Sequence, residues 1–240
     1  MRTTAREAGH RPLPLYLLAG GGPRARGIYE GMLAGIFRDS GLRMPRVGYI
    51  GAASGDDRGF FRMLAGYLEA AGAGEVRLAP IAGKHDTADE AVAVLESADV
   101  VFVSGGDVEA GMRALESRGM PPHLVRLYGS GRLFIGISAG SIMLARSWIR
   151  WGDSDDDGTA EAFPCLGCAP ILCDTHGEGE AWEELKAMLR LTGAGSEGYG
   201  ISAGAALRID PGGEIQALGA PVARLRYAGG KIVELAPLVP

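Results

Sequence analysis

Short apolar runs alternate with helical patterns along the first two-thirds of this chain, and that alternation constrains its fold more than any other feature. Leu15–Ala19 is wholly apolar and ends in Gly20-Gly21-Gly22. A helix is expected over 25–39, with Ile28, Met32, Ile36 and Phe37 at helical spacing. Val47–Ala52 and Val76–Ile81 read as the next strands, with a helix over Phe60–Ala71 between them that sets Phe61, Leu64 and Leu68 on one face. A short helix over 87–96, capped by Asp86 or Thr87, leads to the apolar run Val100–Ser104 and then Gly105-Gly106. Helices over Val108–Arg118 and from Pro121-Pro122 precede the apolar run Leu133–Ile137. A helix through Ala145 follows, then a short strand Ile171–Cys173 and an amphipathic helix over 179–191. Runs that are apolar throughout are strands covered on both faces, as in a parallel sheet.

From Gly198 onward the pattern changes to β-like runs separated by turn residues. These are Ala205–Ile209, Glu214–Leu218, Val222–Tyr227 and Lys231–Leu235, with Pro211-Gly212-Gly213 and Gly229-Gly230 as hairpin signals. The expected fold class is therefore α/β in three layers: a mostly parallel central sheet with helices on both faces and antiparallel strands at the C-terminal edge. Residues 1–12 read as a flexible N-terminal tail and 13–240 as a single domain, a size that one core of this class accommodates.

Composition removes several function classes. The formal charge of −5, with no long basic run, argues against nucleic acid or an anionic membrane as partner. The run Leu13–Ala19 is too short to span a bilayer and contains Pro14, so a cytoplasmic protein is expected. Three cysteines, an odd number, do not suit a disulfide framework.

The chemistry is concentrated in Gly136-Ile137-Ser138-Ala139-Gly140, a G-x-S-x-G motif between an apolar strand and a helix. In that setting a serine sits on a tight elbow at a helix N-terminus, and small neighbours let the backbone turn. Ser138 is the candidate nucleophile and the Ala139 N–H a natural oxyanion donor. Among four histidines, His10 lies in the tail, His85 and His123 read as solvated, and His176 follows an apolar strand. Strand ends of a parallel sheet share one rim, so His176 is the expected base, on the rim that carries Ser138. Asp153, Asp174 and Asp107 are the carboxylates that could orient it, and spacing does not choose among them. Ser104-Gly105-Gly106-Asp107 ends another strand; Gly106 is assigned as the second oxyanion donor, while Gly105, Asp107 and Asp174 are expected around the substrate.

Other residues compete for these roles. Cys165, Cys168, Cys173 and His176 form C-x2-C-x4-C-x2-H, which could hold zinc tetrahedrally or simply supply small core side chains. Asp153-Ser154-Asp155-Asp156-Asp157-Gly158 opens like a calcium loop, but Pro164 stands where a bidentate Glu is required. It reads instead as a solvated acidic loop near the rim. Gly20-Gly21-Gly22 matches no nucleotide-binding motif, and Arg24 and Arg26 beside it suit a substrate carboxylate or plain solvent.

Taken together, Val103-Ser104-Gly105-Gly106-Asp107, Gly136-Ile137-Ser138-Ala139-Gly140-Ser141, Cys173-Asp174-Thr175-His176 and Gly198-Tyr199-Gly200-Ile201 resemble the peptidase S51 family in order and rough spacing, over about residues 14–235. The resemblance implies a class I glutamine amidotransferase-like fold with a serine nucleophile, as in dipeptidase E and cyanophycinase. It also implies cofactor-free hydrolysis of a small peptide or amide, with Ser138 as nucleophile, His176 as base and Gly106 and Ala139 as oxyanion donors. Asp153 matches an acid that dipeptidase E carries after its nucleophile. Departures are present too. Gly177-Glu178-Gly179-Glu180 stands where the family usually has Phe and basic residues, and such a carboxylate-rich segment would repel an acidic side chain. Ser202-Ala203 replaces a common Asp-Glu pair, which favours Asp153 as the acid, and Val108 replaces the usual Gln or Thr. The alternative to a peptidase is a non-catalytic binding or regulatory relative; a homodimer is common among such domains.

Overall fold

The computed structural model describes residues 13–21, 26–152 and 159–240. The expected tail over 1–12, together with Arg24, Asp153 and the acidic loop, lies outside them. Strand β1 (Leu15–Leu18) leads to α1 (Arg26–Asp39), β2 (Arg46–Ile50), α2 (Arg58–Ala70), β3 (Glu75–Ala79), α3 (Ala88–Ser97) and β4 (Val100–Val103). Then come α4 (Val108–Ser117), α5 (Met120–Gly129), β5 (Leu133–Ile137), α6 (Ala139–Leu144), β6 (Ser147–Trp151) and β7 (Ala160–Pro164). The chain closes with β8 (Leu172–Thr175), α7 (Glu183–Thr192), β9 (Glu197–Ile201), β10 (Ala206–Ile209), β11 (Ile215–Leu218), β12 (Val222–Ala228) and β13 (Lys231–Leu238).

The main sheet has seven strands in the order β11-β10-β1-β5-β4-β2-β3. Its five central and far strands are parallel, and β10 and β11 add an antiparallel edge. Alternation along the strands divides the core between two faces. Tyr16, Leu18, Val100, Phe102, Leu133 and Ile135 pack under α1 and α2. Leu15, Leu17, Val101, Val103 and Phe134 pack under α3, α4, α5 and α6. Because both faces are covered, the four residues of β1 and the four of β4 are all buried, which is why they read as continuous apolar runs.

Registry brings the ends of these strands level. Leu18 pairs with Ile137 and Val103 with Gly136, so the turns after β1, β4 and β5 open on the same rim. This is the rim on which ligands of open parallel sheets bind.

A second sheet was not anticipated as such. Strands β13-β12-β9-β8 form a separate four-stranded sheet, with β8 and β9 parallel and the others antiparallel. The expectation that β8 ends on the rim of the central sheet is corrected accordingly: His176 reaches that rim from a neighbouring sheet. The physical reason is that β10 already occupies the open edge of β1 and leaves β8 no partner there. Strands β6 and β7 form a hairpin paired from Ser147↔Pro164 to Trp151↔Ala160. The helix expected over 179–191 is also split. A short 3-10 turn spans Gly177–Glu180, and α7 begins only at Glu183, because Ala181 (φ 52°) and Trp182 (φ 63°) adopt the left-handed region.

No helix among the described residues is long and apolar enough to cross a membrane.

Candidate active site

Ser138 is the residue on which the rim turns. It stands between β5 and α6 with φ 54° and ψ −129°, a conformation that costs a non-glycine residue about 1–3 kcal/mol. Several contacts hold it there. The Ser138 N–H donates to the Leu18 carbonyl at 2.9 Å, the Ser141 Oγ donates to the same carbonyl at 2.8 Å, and the Ser141 N–H returns to the Ser138 carbonyl at 2.8 Å. Glycine is required on both sides of the turn. A methyl group at Gly136 would lie 2.7 Å from the Gly140 carbonyl oxygen, and one at Gly140 would collide with the Val103 carbonyl oxygen. The G-x-S-x-G spacing is thus explained by packing of α6 directly onto β4 and β5.

Two further glycines make room for the reactive groups. A methyl group at Gly105 would lie 2.9 Å from Ser138 Cβ and 3.3 Å from its Oγ. One at Gly20, the residue after β1 and its buried Ala19, would lie 3.2 Å from His176 Nε2 and 3.3 Å from Ser138 Cβ. The imidazole and the serine therefore border one point in space beside Gly20. They are not hydrogen-bonded to each other. Ser138 is half-buried, whereas His176 is exposed. His176 takes φ 66° at the end of β8, and its N–H donates to the Ile201 carbonyl at 3.3 Å.

The cleft over these groups has a volume of about 360 Å³. Gly20, Gly21, Gly105, Gly106, Ser138 and His176 line its floor, and Tyr29, Phe60, Met63, Leu64, Tyr67 and Ile137 its walls. Helix α2 is aimed by Asp57, whose carboxylate caps the Phe60 N–H at 2.6 Å, and by Phe61, whose ring meets Tyr49 edge-on at 5.0 Å. With Phe61 turned to the sheet, residues 60, 63, 64 and 67 face the cleft. That stripe has helical spacing in the sequence, beside the 61/64/68 face read there. Tyr29 closes the base: its hydroxyl donates to the Gly20 carbonyl and accepts the Gly204 N–H at 3.1 Å. Neither Gly20 nor Tyr29 was singled out from sequence as part of a site; the triple glycine after β1 was the available signal.

The remaining expected residues are distributed unequally. Gly106 lines the cleft with φ 140°, where a side chain would strike the Ala53 carbonyl. Ala139 is the first residue of α6, so its N–H has no partner within the helix. Asp107 is drawn into helix capping: its Oδ1 accepts the Ala110 N–H at 2.7 Å, and it does not line the cleft. Asp174 is 4% exposed and also stands outside the cleft, with Oδ1 accepting the Thr175 N–H at 2.6 Å. Burial, with added repulsion from Glu184, Glu180 and Glu178, raises its pKa to about 7. His123, read as solvated, is instead half-buried between Glu96 and Arg126, and burial lowers its pKa.

The zinc reading does not survive the geometry. Among the described residues no three His, Cys, Asp or Glu side chains gather as metal ligands, and Cys165, Cys168, Cys173 and His176 are all described. Burial pushes the Cys165 and Cys168 thiols up to about 12 and raises Cys173 well above the ordinary thiol range, which suits core packing. Cys173 Sγ contacts the Ser141 carbonyl at 3.8 Å.

Comparison with known proteins agrees with this arrangement. The family model described as Peptidase family S51 matches residues 15–217. The fold resembles the crystal structure of a peptidase from an acI-B1 actinobacterium, with a TM-score of 0.67 and 19% identity over 95% of this chain and 98% of that one. It also resembles a putative peptidase E protein from Listeria monocytogenes EGD-e, with a TM-score of 0.64 and 20% identity over 87% of this chain and 98% of that one. A comparison with curated proteins finds no match.

Proposed function

The chain belongs to peptidase family S51, and from that premise we propose that it is a serine peptidase that hydrolyses a short peptide or related amide through an acyl-enzyme. The observation that carries this reading is the positive-φ elbow at Ser138, with Ser138 Cβ and His176 Nε2 both within 3.3 Å of the position a methyl group at Gly20 would take. A serine held at such a cost, with no side-chain capping role to repay it, suits an exposed nucleophile. A cleft of about 360 Å³ is near the small end of ligand pockets, which suits a short substrate.

In this mechanism His176 takes the Ser138 Oγ proton as the oxygen attacks the substrate carbonyl. The carbonyl π electrons move to oxygen, which the N–H groups of Gly106 and Ala139 receive. Collapse of the tetrahedral intermediate breaks the C–N bond, and His176 gives its proton to the departing amine. Water, deprotonated by His176, then attacks the ester; its collapse releases the acid and restores the Ser138 hydroxyl. A dipeptidase-like action in the cytoplasm belongs to the same reading.

A fluorophosphonate probe tests it. Labelling of the wild type that disappears in Ser138→Ala, at unchanged melting temperature, is expected. A folded wild type that takes no label would overturn the serine mechanism. A second reading, a binding module that keeps the fold without turnover, draws on one observation: among the described residues no carboxylate is hydrogen-bonded to the His176 ring, and the same labelling decides against it.

A further inference from the structure

The walls of the cleft say what kind of side chain it takes. Phe60, Met63, Leu64 and Tyr67 present one apolar stripe of α2, and Ile137 continues it beside Ser138. Met63 is 42% exposed, an apolar side chain left uncovered beside the nucleophile. Among the described residues no Lys or Arg lines the cleft. Arg26, which stacks over the ring of the lining residue Tyr67 at 5.2 Å, is engaged by Glu30, to which it donates at 2.6 Å. On the far side the charge is negative, with the Glu178 carboxylate accepting the Ala203 N–H at 3.2 Å and contributing to the raised pKa that burial gives Tyr29. A carboxylate entering here would lose water without gaining a counter-charge from the described residues that line the cleft, whereas a hydrocarbon side chain would gain from burial.

Topology indicates which part of the substrate meets this wall. Strand β5, carrying Ser138, lies between β1 and β4. His176 approaches over Gly20, on the β1 side, and the departing amine must face the imidazole that protonates it. Helix α2 follows β2, on the β4 side. The acyl portion then lies toward α2.

We propose that the α2 wall is a recognition site for an apolar side chain, aliphatic or aromatic, on the residue that supplies the attacked carbonyl, which would make this chain selective for apolar rather than acidic acyl residues. This rests on the serine peptidase reading, and two measurements separate the failure of one from the failure of the other.

The first is kcat/KM of the full chain for the p-nitroanilides of Phe, Leu, Asp and Lys. Phe and Leu are expected to exceed Asp by at least tenfold, and Met63→Arg, a change at an exposed position, to shrink that ratio severalfold. Equal or greater turnover of the Asp substrate would overturn the proposal while leaving the serine mechanism intact. The second is calorimetric binding of phenylalaninamide and of aspartic acid α-amide to Ser138→Ala, which needs no chemistry. Tighter binding of phenylalaninamide is expected. If it is found with no turnover by the wild type, the recognition site stands and the peptidase reading falls; equal or weaker binding than the aspartyl ligand overturns the recognition site.

Discussion

The two halves of the site are built to opposite tolerances. Ser138 stands on strands and a helix whose residues are almost all buried, and its neighbours Gly105, Gly136 and Gly140 face backbone or side-chain atoms with no room for a methyl group. His176 stands on a four-residue strand of a separate sheet, and the turn after it is largely exposed, with three consecutive residues, Glu178, Gly179 and Glu180, open to solvent. A methyl group at Gly179 would meet nothing within 4 Å. The serine is therefore fixed by collisions on every side, while the turn after the imidazole is tight only at Gly177, against Asp174 and Trp182, and opens to solvent from Glu178 onward. The difference teaches that one cleft can hold one polar side chain by steric necessity on all sides and the other by a short arm whose outer turn is open.

Substitutions can break or sharpen this contrast. The largest effect is expected at Ser138 itself. Ser138→Gly should lower kcat by roughly 10⁴–10⁶-fold and yet raise unfolding free energy by about 1 kcal/mol, since glycine accepts φ 54° without strain; a variant no more stable than wild type in urea would deny that the elbow is strained. Next, Gly140→Ala should destabilise the chain by about 3 kcal/mol or more, because the added methyl meets the Val103 carbonyl in a core with no slack. A melting temperature unchanged by that substitution would remove the steric half of the comparison.

Asp174 gives a pH-dependent effect of intermediate size. Its carboxyl keeps a proton up to about pH 7 when folded but loses it near pH 4 when unfolded. The folded state is thus favoured by this group at acid pH, stability falls as pH rises from about 4 to 7, and the penalty is complete above that. Asp174→Asn should abolish the fall, stabilising at pH 8 by on the order of 2–4 kcal/mol while changing little at pH 4. Denaturation curves at the two pH values check this, and equal shifts at both would refute it. The smallest effect is predicted on the open turn: Gly179→Ala should alter stability by no more than about 0.5 kcal/mol, readable in the same melts.

Legibility from sequence followed the same divide. Strand β5 was readable to the residue, and β4 to within one, because strands covered on both faces must be apolar throughout. The elbow is readable because its motif falls within five consecutive residues, although Gly140 is required by the Val103 carbonyl of β4. The sheet to which β8 belongs was not, since that depends on β10 taking the edge of β1, a pairing between residues far apart in the chain. The start of α7 is not legible, because Trp182 leaves the helix to lay its ring over Gly177 and Gly200, where a methyl group would lie 2.8 and 2.6 Å from it. The cleft wall was visible as spacing but could not be told from core, because Phe61 and Phe60 look alike until one of them meets Tyr49. The hairpin β6–β7 offered aromatic residues but no compact turn signal between its strands.

One carbonyl, that of Leu18, accepts both the Ser138 amide and the Ser141 hydroxyl, which lies 123 residues further along. A ribosome must therefore have released the first strand and well over half of the polypeptide before that carbonyl has anything to grip, and the Tyr29 hydroxyl waits longer still for Gly204. A nascent chain of this protein thereby cannot complete the Ser138 elbow until late in its own synthesis, long after the strand that anchors it has emerged.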